Sequence, residues 1–350
     1  MRKSCTFCCV LLFCCASQAE APQAVSPANE PAAKGPQLRL AVEVTDTSGN
    51  PVKGLQESAF TVLDNGRPVP LDFFYAHESA SDETGSESVV LVIDAINVFF
   101  NLLSAERTQI EQFLRSNQGH LPAPLSIAAV SENSFTWIAE PSADGNKLAD
   151  QLHQWQPHLQ PRPTQSDADM QERWQESVFG LSKILNHESD QFGRKLLVYV
   201  SPGWPLIRST DVQATDGLLH QWMDLIVSTS TNLRQQQMTI DAVEPQGSAG
   251  LDWGLIWRAN LKPVKKWDHA EPADVVLQVL AVQSGGQVMH SNNDIADEIA
   301  QCMRDATSWY TVVVPQQPDK PNTWHDLQVR VNQPGAVVRA ANGYYAQPQP

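Results

Sequence analysis

Cysteine is scarce in this sequence outside its first fifteen residues. Five of the six cysteines lie between positions 5 and 15, and the sixth is Cys302. If the first segment is removed, one cysteine remains, so an intramolecular disulfide is excluded. Cys302 lies on the apolar side of a predicted helix, which indicates a buried structural thiol rather than a nucleophile.

Basic residues and long apolar runs are also in short supply. Lysine and arginine number 24 against 39 aspartates and glutamates, which leaves a formal net charge of -15. This charge repels nucleic acid and anionic lipid, so we expect neither as a partner. No apolar run is long enough to span a bilayer, so we expect no integral membrane span. The 350 residues suffice for one large domain and a smaller one.

Motifs for zinc-dependent or phosphate-dependent chemistry are missing. No His-Glu-x-x-His occurs, and Pro157 interrupts any helix between His153 and His158, so no zinc site is predicted. Gly285 and Gly286 stand alone, which is typical of the end of a helix rather than of a phosphate-binding loop.

Ser201 follows a strongly apolar strand, as the nucleophile of a hydrolase would. The surrounding sequence is YVSPG, which keeps only the final glycine of the Gly-x-Ser-x-Gly nucleophile elbow. Pro202 also lacks the backbone N–H that an oxyanion hole would use. We therefore predict a non-enzymatic protein, with a secreted hydrolase using Ser201 as an alternative.

The N-terminus has the pattern of an export signal. Arg2 and Lys3 precede a short apolar core, and a small-residue cleavage site ends at Ala19, so residues 1–19 are predicted to be a signal peptide. Residues 20–37 are rich in alanine, proline and glutamine and predict a disordered tether. We expect export to the periplasm or the extracellular space. A lipoprotein is disfavoured because Phe13, not a small residue, precedes Cys14.

Alternating strand patterns occur at both ends of the mature chain. Residues 38–78 predict an N-terminal β module of three strands, the last over residues 69–75, with a tight turn at Asn65 and Gly66. Residues 79–87 predict a polar linker. Residues 308–346 return to alternating strands, and because a lone hairpin is only marginally stable, we expect both ends to meet as one small β-sandwich.

Between these ends, residues 88–307 alternate apolar strands with amphipathic helices. The run at residues 89–93 is continuously apolar, which suits a strand buried on both faces of a parallel sheet, and residues 195–200 repeat the pattern. The predicted class is therefore α/β, with a doubly wound, mainly parallel sheet. Within it we expect a helix over 104–116 with Glu106 in its first turn, a chain break at 122–124, and a helix over 142–155.

Several segments together resemble the acidobacterial VWFA-related domain family, whose core is a von Willebrand factor A (vWA) domain. They are VTDTSGNPVKGLQESAFTVLDNGRPVPLDFF near the start, VVLVIDAINVFF and GRKLLVYVSPGWP in the middle, and LAVQSGGQVMHSNNDIADEIAQCMRDATSWYTVVV with VRVNQPGAVVRAANGYYA near the end. The resemblance covers residues 38–346. It implies a Rossmann-like vWA sheet, export, and no established catalytic activity.

The vWA resemblance draws attention to Asp94, which follows the first apolar strand. The family binds a divalent metal there through Asp-x-Ser-x-Ser, but this sequence has Ile96 and Val98 in place of the two serines. The family's Thr-Asp-Gly after the fourth strand is replaced by SPG at residues 201–203, which removes the second carboxylate. A hard divalent cation needs several oxygen ligands, so the resemblance implies a degenerate metal-ion-dependent adhesion site.

Two other side chains are candidates for residual metal binding beside Asp94. Asn97 offers an amide oxygen, and Thr164, in a proline-rich loop, could stand for the family's threonine. We predict no cofactor and no divalent metal, with Asp94 instead bonding the amides of its own loop. The alternative is a metal-dependent adhesion module that retains Mg²⁺ or Ca²⁺ binding at Asp94.

Apolar side chains follow the ends of the two central strands. Such residues either cover the sheet or act as anchors for a partner, since aromatic residues dominate interface energetics. We therefore predict a protein–protein interaction module, with an unidentified protein as the partner. The predicted anchors are Phe99, Phe100, Trp204, Leu206 and Ile207.

Overall fold

The structure is a computed structural model of the chain. It describes residues 36–78, 87–132, 134–157, 166–191, 193–209, 213–245, 256–290 and 294–347. The predicted signal peptide, nearly all of the predicted tether, His158 and Thr164 lie outside these ranges. No helix in the described ranges is both long enough and apolar enough to cross a membrane.

The strands and helices follow one another along the chain as the alternating patterns predict. The strands are β1 (Gln37–Thr45), β2 (Phe60–Asp64), β3 (Arg67–Val69), β4 (Phe73–His77), β5 (Ser88–Asp94), β6 (His120–Ser131), β7 (Ser134–Asp144), β8 (Lys195–Val200), β9 (Met238–Val243), β10 (Val288–Met289), β11 (Trp309–Pro315), β12 (Trp324–Val331), β13 (Val337–Arg339) and β14 (Gly343–Tyr345). The helices are α1 (Phe100–Arg115), α2 (Gly145–Gln154), α3 (Asp167–Glu188), α4 (Asp216–Gln235), α5 (Leu277–Gln283) and α6 (Ile295–Asp305).

A six-stranded sheet forms the centre of the α/β part. Its order is β10-β9-β8-β5-β6-β7, and only β7 runs antiparallel to its neighbour. Numbered along the chain, this is the order 3-2-1-4-5-6 of a doubly wound sheet. The predicted α/β class with a doubly wound, mainly parallel sheet is confirmed.

The continuous apolar run of β5 arises because both faces of the sheet are covered. Val90 and Val92 point to one core, which also contains side chains of α3, α4 and α5. Val89 and Leu91 point to the other core, which contains side chains of α1, α2 and α6. A strand that contacts helices on both sides has no polar face, so the period-2 alternation disappears.

The strands from the two ends of the chain form a β-sandwich beside the α/β part. One sheet has the order β13-β1-β11-β4 and the other has the order β14-β12-β2-β3. Both contribute to one apolar core, with Leu40 and Val312 from the first sheet and Val62 and Leu327 from the second. The predicted small flanking sandwich of N-terminal and C-terminal strands is confirmed.

Three local predictions differ from the structure. The strand expected over 69–75 is two strands, because Pro70 offers no amide hydrogen and the chain changes sheets after it. The prolines at 122–124 do not break the chain but lie within β6, where the pairing with β7 is irregular. The helix expected from residue 142 begins at Gly145, and the Asp144 side chain accepts the Lys147 N–H at 3.1 Å as its N-cap.

Candidate functional site

The candidate site lies at the point where the order of the central sheet reverses. The chain leaves β5 toward β6 on one side and leaves β8 toward β9 on the other, so the ends of β5 and β8 are where an open α/β sheet places its ligand crevice. Asp94 is the last residue of β5 and Ser201 is the first residue after β8, and both are fully buried. The sequence placed both residues at this edge.

Four protein donors surround the Asp94 carboxylate. Oδ1 accepts the backbone N–H of Ile96 at 2.9 Å and of Asn97 at 3.1 Å. Oδ2 accepts Nδ2 of Asn97 at 2.8 Å and the hydroxyl of Ser201 at 2.6 Å. A carboxylate has about four lone-pair positions, so these bonds engage all of them. Burial raises the pKa of Asp94, and the hydrogen bonds from Ser201 and Asn97 act in the opposite direction.

This donor set does not fit a hard divalent cation. Pro202 stands where the resemblance implies a second carboxylate, and the neighbouring Ser201 hydroxyl donates to Asp94 while accepting the N–H of Gly203 at 3.0 Å. Ile96 is buried in the apolar core, and Val98 packs against the core on the opposite face of the sheet. A cation that favours several oxygen ligands would have to displace these protein donors.

The hydroxyl of Ser201 is also poorly disposed for nucleophilic catalysis. It is buried, and its hydrogen bond goes directly to a carboxylate rather than to an imidazole. Gly203 has a φ of 102°, a left-handed conformation that suits glycine, so the SPG segment turns tightly around the hydroxyl.

Asn97 links the Asp94 loop to helix α3. Its Nδ2 donates to the Ser177 hydroxyl at 2.8 Å as well as to Asp94, and Ser177 donates to the carbonyl of Arg173 at 2.8 Å. Its Oδ1 is buried and has no hydrogen-bond partner among the residues that the structure describes. Of the three metal candidates, Asp94 and Asn97 are in contact, and Thr164 is outside the described residues.

Glu106 is a buried carboxyl group that the sequence did not point to. The sequence placed it in the first turn of a helix starting near residue 104, but α1 begins at Phe100, which moves Glu106 into the helix body. It is 2% exposed, and within the described ranges neither carboxyl oxygen has a hydrogen-bond partner. Burial, with a smaller contribution from the charge of Asp94, raises the pKa of Glu106 to about 8.

The predicted partner anchors fall into different environments. Phe99, just before α1, is 60% exposed at the crevice edge. Trp204 and Ile207 are only 4% and 5% exposed, and Leu206 is half-buried against the same core. Phe100 begins α1, and its side chain lies outside the description.

Trp204 and Ile207 are therefore core residues, which corrects the prediction that they are surface anchors. Trp204 packs edge-on against Tyr199, with ring centroids 6.0 Å apart. The Ile207 carbonyl accepts the Ala273 N–H at 3.1 Å, which brings the irregular segment before α5 over this part of the chain. The pattern of residues after β8 gave no sign of this cover, because it comes from about 65 positions further along.

Three carboxylates come together at the same edge of the sheet, which the sequence did not predict. Glu132 follows β6, and Glu172 and Glu176 lie one turn apart on α3, with one oxygen from each within 4.8 Å of the others. Exposed acidic side chains often approach one another without a cation, so their proximity alone assigns no site.

Cys302 lies in the core on α6, as expected from its helical position. It is fully buried, with Sγ 3.4 Å from the sulfur of Met289. Burial and the nearby carboxyl groups raise the pKa of the thiol well above its usual value. A thiol that stays protonated and inaccessible does not act as a nucleophile.

Comparison with family profiles and with curated proteins finds no match. Among solved structures, the chain is similar to the SpRpn10 VWA domain, with 12% identity and a TM-score of 0.30 over 61% of this chain and 94% of that one. It is also similar to the TFIIH p34 N-terminal domain, with 9% identity and a TM-score of 0.30 over 62% and 96%. An uncharacterized membrane spanning protein from Vibrio fischeri gives 14% identity and a TM-score of 0.19 over 61% and 96%. Likeness at these identities concerns the fold alone.

Proposed function

We propose that this chain is an exported, non-enzymatic protein-interaction module with a vWA-like fold and a lost metal site. The observation that carries the proposal is the saturation of Asp94 by four protein donors, one of them the hydroxyl of Ser201. The Asp94 carboxylate, which would otherwise bind a cation, and the Ser201 hydroxyl, which would otherwise act as a nucleophile, are thus both engaged in hydrogen bonds within the protein. Recognition then depends on the surface around the crevice.

Phe99 is the anchor that best supports recognition at this surface. It follows the Asp94 loop directly, and its ring is largely exposed although the neighbouring Ile96 is buried. Aromatic side chains that a partner buries at the centre of an interface supply much of its binding energy. The protein partner predicted from the sequence would contact this edge of the sheet.

The experiment compares two exposed phenylalanines in the full chain. Phe99→Ala removes the proposed anchor, and Phe179→Ala removes an aromatic ring that is 49% exposed on α3. Wild type and both variants are crosslinked in envelope extract, and the captured proteins are quantified. We expect one captured protein to be lost with Phe99→Ala and retained with Phe179→Ala. Equal recovery with both variants would contradict the proposed anchor.

Export is part of the proposal and is supported by the signal-like pattern of residues 1–19. Expression in a bacterial host, followed by fractionation and N-terminal sequencing, tests it. We expect a mature form beginning near Glu20 outside the cytoplasm. A full-length cytoplasmic product would refute this part of the proposal.

A further inference from the structure

A cluster of buried charges joins the β-sandwich to the α/β part, on a side of the molecule that the proposed function does not use. Six residues form this seam cluster, three of them on or next to strands of the central sheet, one at the end of α6 and two on the sandwich. The members are Glu43, Glu87, Arg194, Asp241, Asp305 and Arg339.

Arg194 connects the two parts directly. Its guanidinium bonds the carboxylate of Glu43 on β1 and lies 3.1 Å from the carboxylate of Glu87, which precedes β5. The side chains of all three are at most 4% exposed. The guanidinium also lies 5.2 Å from the centre of the Trp309 ring of β11, a cation–π contact.

Arg339 on β13 forms the second link. It bonds the other oxygen of Glu43 and lies 2.7 Å from the carboxylate of Asp305 at the end of α6. Gln287 continues the network, because its Nε2 donates to Asp305 at 2.9 Å and to Asp241 at 3.2 Å. A chain of polar contacts therefore runs from the sandwich to the middle of β9.

The charges of the seam cluster do not balance. Four carboxyl groups face two guanidiniums, and arginine stays protonated at any pH that a protein experiences. With every acid ionised, the buried cluster would carry two uncompensated negative charges. Burying unpaired charge is costly, so such a cluster gains stability when protons neutralise part of it.

We propose that the seam cluster is a proton-binding joint, in which protons on Glu87 and Asp241 hold the β-sandwich against the α/β part and their release loosens the contact. The two acids differ from the others in the cluster because neither bonds a guanidinium with good hydrogen-bond geometry. Glu87 has no hydrogen-bond partner for either oxygen within the described ranges, and Asp241 is bonded by the amide groups of Gln287.

The pKa shifts agree with this geometry. Burial raises the pKa of Glu87 to about 8, with Arg194 opposing and the neighbouring carboxylates adding to the shift. Burial and the charge of Glu43 raise the pKa of Asp241 to about 7. Both acids bind protons more tightly in the closed seam than in water. The contact is thus fully stabilised below the ordinary pKa of the acids, and stability is lost as the pH rises through 7 and 8.

Other titratable groups surround the cluster and shape its response. The Cys302 thiol on α6 lies near Asp241, and burial keeps it protonated. His77 on β4 stacks on Trp309, with ring centroids 4.3 Å apart. Glu188 at the end of α3 accepts a hydrogen bond from the Ser88 hydroxyl next to Glu87. His77 is the histidine nearest to Trp309 in this group, so its variant belongs in the test.

The test measures hydrogen exchange of the full chain between pH 6 and pH 9, corrected for the intrinsic exchange rate. If opening of the seam returns Glu87 from a pKa of about 8 to 4.5, protection of the amides in β1 and β13 falls about 90-fold over this range. In Glu87→Gln, which mimics the protonated acid, the fall is strongly reduced. The matched control is Glu57→Gln, which changes an exposed glutamate and is expected to behave as wild type.

Two further variants keep the result interpretable. Asp241→Asn serves as a second neutral mimic if Glu87→Gln does not fold, and it is also expected to flatten the pH profile. His77→Gln is expected to retain the wild-type profile. The proposal is overturned if wild-type protection at the seam does not change with pH, if both neutral mimics keep the full pH dependence, or if His77→Gln abolishes it. The proposal is also overturned if protection at the seam, at fixed pH, depends on which monovalent cation is present, because a cation would then take the place of the protons.

Discussion

Replacing Ser201 by alanine tests the hydrogen-bonded closure of the crevice most directly. The substitution removes the donor that lies 2.6 Å from Oδ2 of Asp94 and the acceptor that lies 3.0 Å from the Gly203 amide. A hydrogen bond to a charged group contributes about 1.5–3 kcal/mol, and a neutral one contributes about 1 kcal/mol. Because the site is buried, we expect Ser201→Ala to lower the free energy of unfolding by about 3 kcal/mol.

The assay is urea unfolding followed by circular dichroism, with Ser228→Ala as the matched control. Ser228 is exposed on α4, and its hydroxyl donates to the carbonyl of Leu225 in its own helix at 3.1 Å. The control should stay within about 0.5 kcal/mol of wild type. If Ser201→Ala lowered the free energy of unfolding by less than about 1 kcal/mol relative to wild type, the inference that the hydroxyl stabilises Asp94 would be refuted.

The pH dependence of the same variant gives an internal check. The hydroxyl bond favours the ionised form of Asp94, so its loss raises the pKa of that carboxyl further. The difference between Ser201→Ala and wild type should therefore grow as the pH rises and Asp94 ionises, and should shrink at acidic pH, where Asp94 is protonated in both proteins. A difference that does not vary with pH would indicate that the lost stability comes from packing alone.

Two further predictions concern the carboxyl groups near the crevice. Glu106→Gln should be more stable than wild type at pH 9 and nearly equal to it at pH 5, because the raised pKa of about 8 makes ionisation of the buried acid destabilising as the pH rises. Melting temperatures of both proteins at the two pH values measure this. If the melting temperatures differed by the same amount at pH 5 and pH 9, the prediction would be contradicted. Calorimetric titration with Mg²⁺, Mn²⁺ and Ca²⁺ should give no micromolar binding that Asp94→Ala abolishes. If the titration gave a heat of binding that disappears in Glu172→Gln but remains in Asp94→Ala, a cation would instead bind at the cluster of Glu132, Glu172 and Glu176.

The fold could be predicted largely because its signals are local. The buried run in β5 and the turn at Asn65 and Gly66 are properties of a few consecutive residues, and Asn65 and Gly66 have φ angles of 48° and 76°. The sandwich followed from the need of the two terminal β regions to cover one another. The strand boundaries near Pro70 were missed, because the choice between two sheets depends on pairing with β2 and β11.

The candidate site was only partly predictable. Asp94 was recognised because it follows an apolar strand, but the burial of Trp204 depends on a segment that joins it from far along the chain. Glu87 belonged to a stretch that was expected to be a polar linker, yet its side chain is 4% exposed beside Arg194. Glu87 and Arg194 are about 100 positions apart in the chain, and the sequence pattern within one segment does not predict a contact at that separation.

The position of β1 has a consequence for how this protein acquires its shape during synthesis. β1 pairs with β11 and β13, so its first partner strand is made more than 250 residues later. Until β11 has been synthesised, β1 has neither of its two partner strands. A chain released before residue 309 would therefore carry an unpaired β1, and unpaired strand edges favour aggregation.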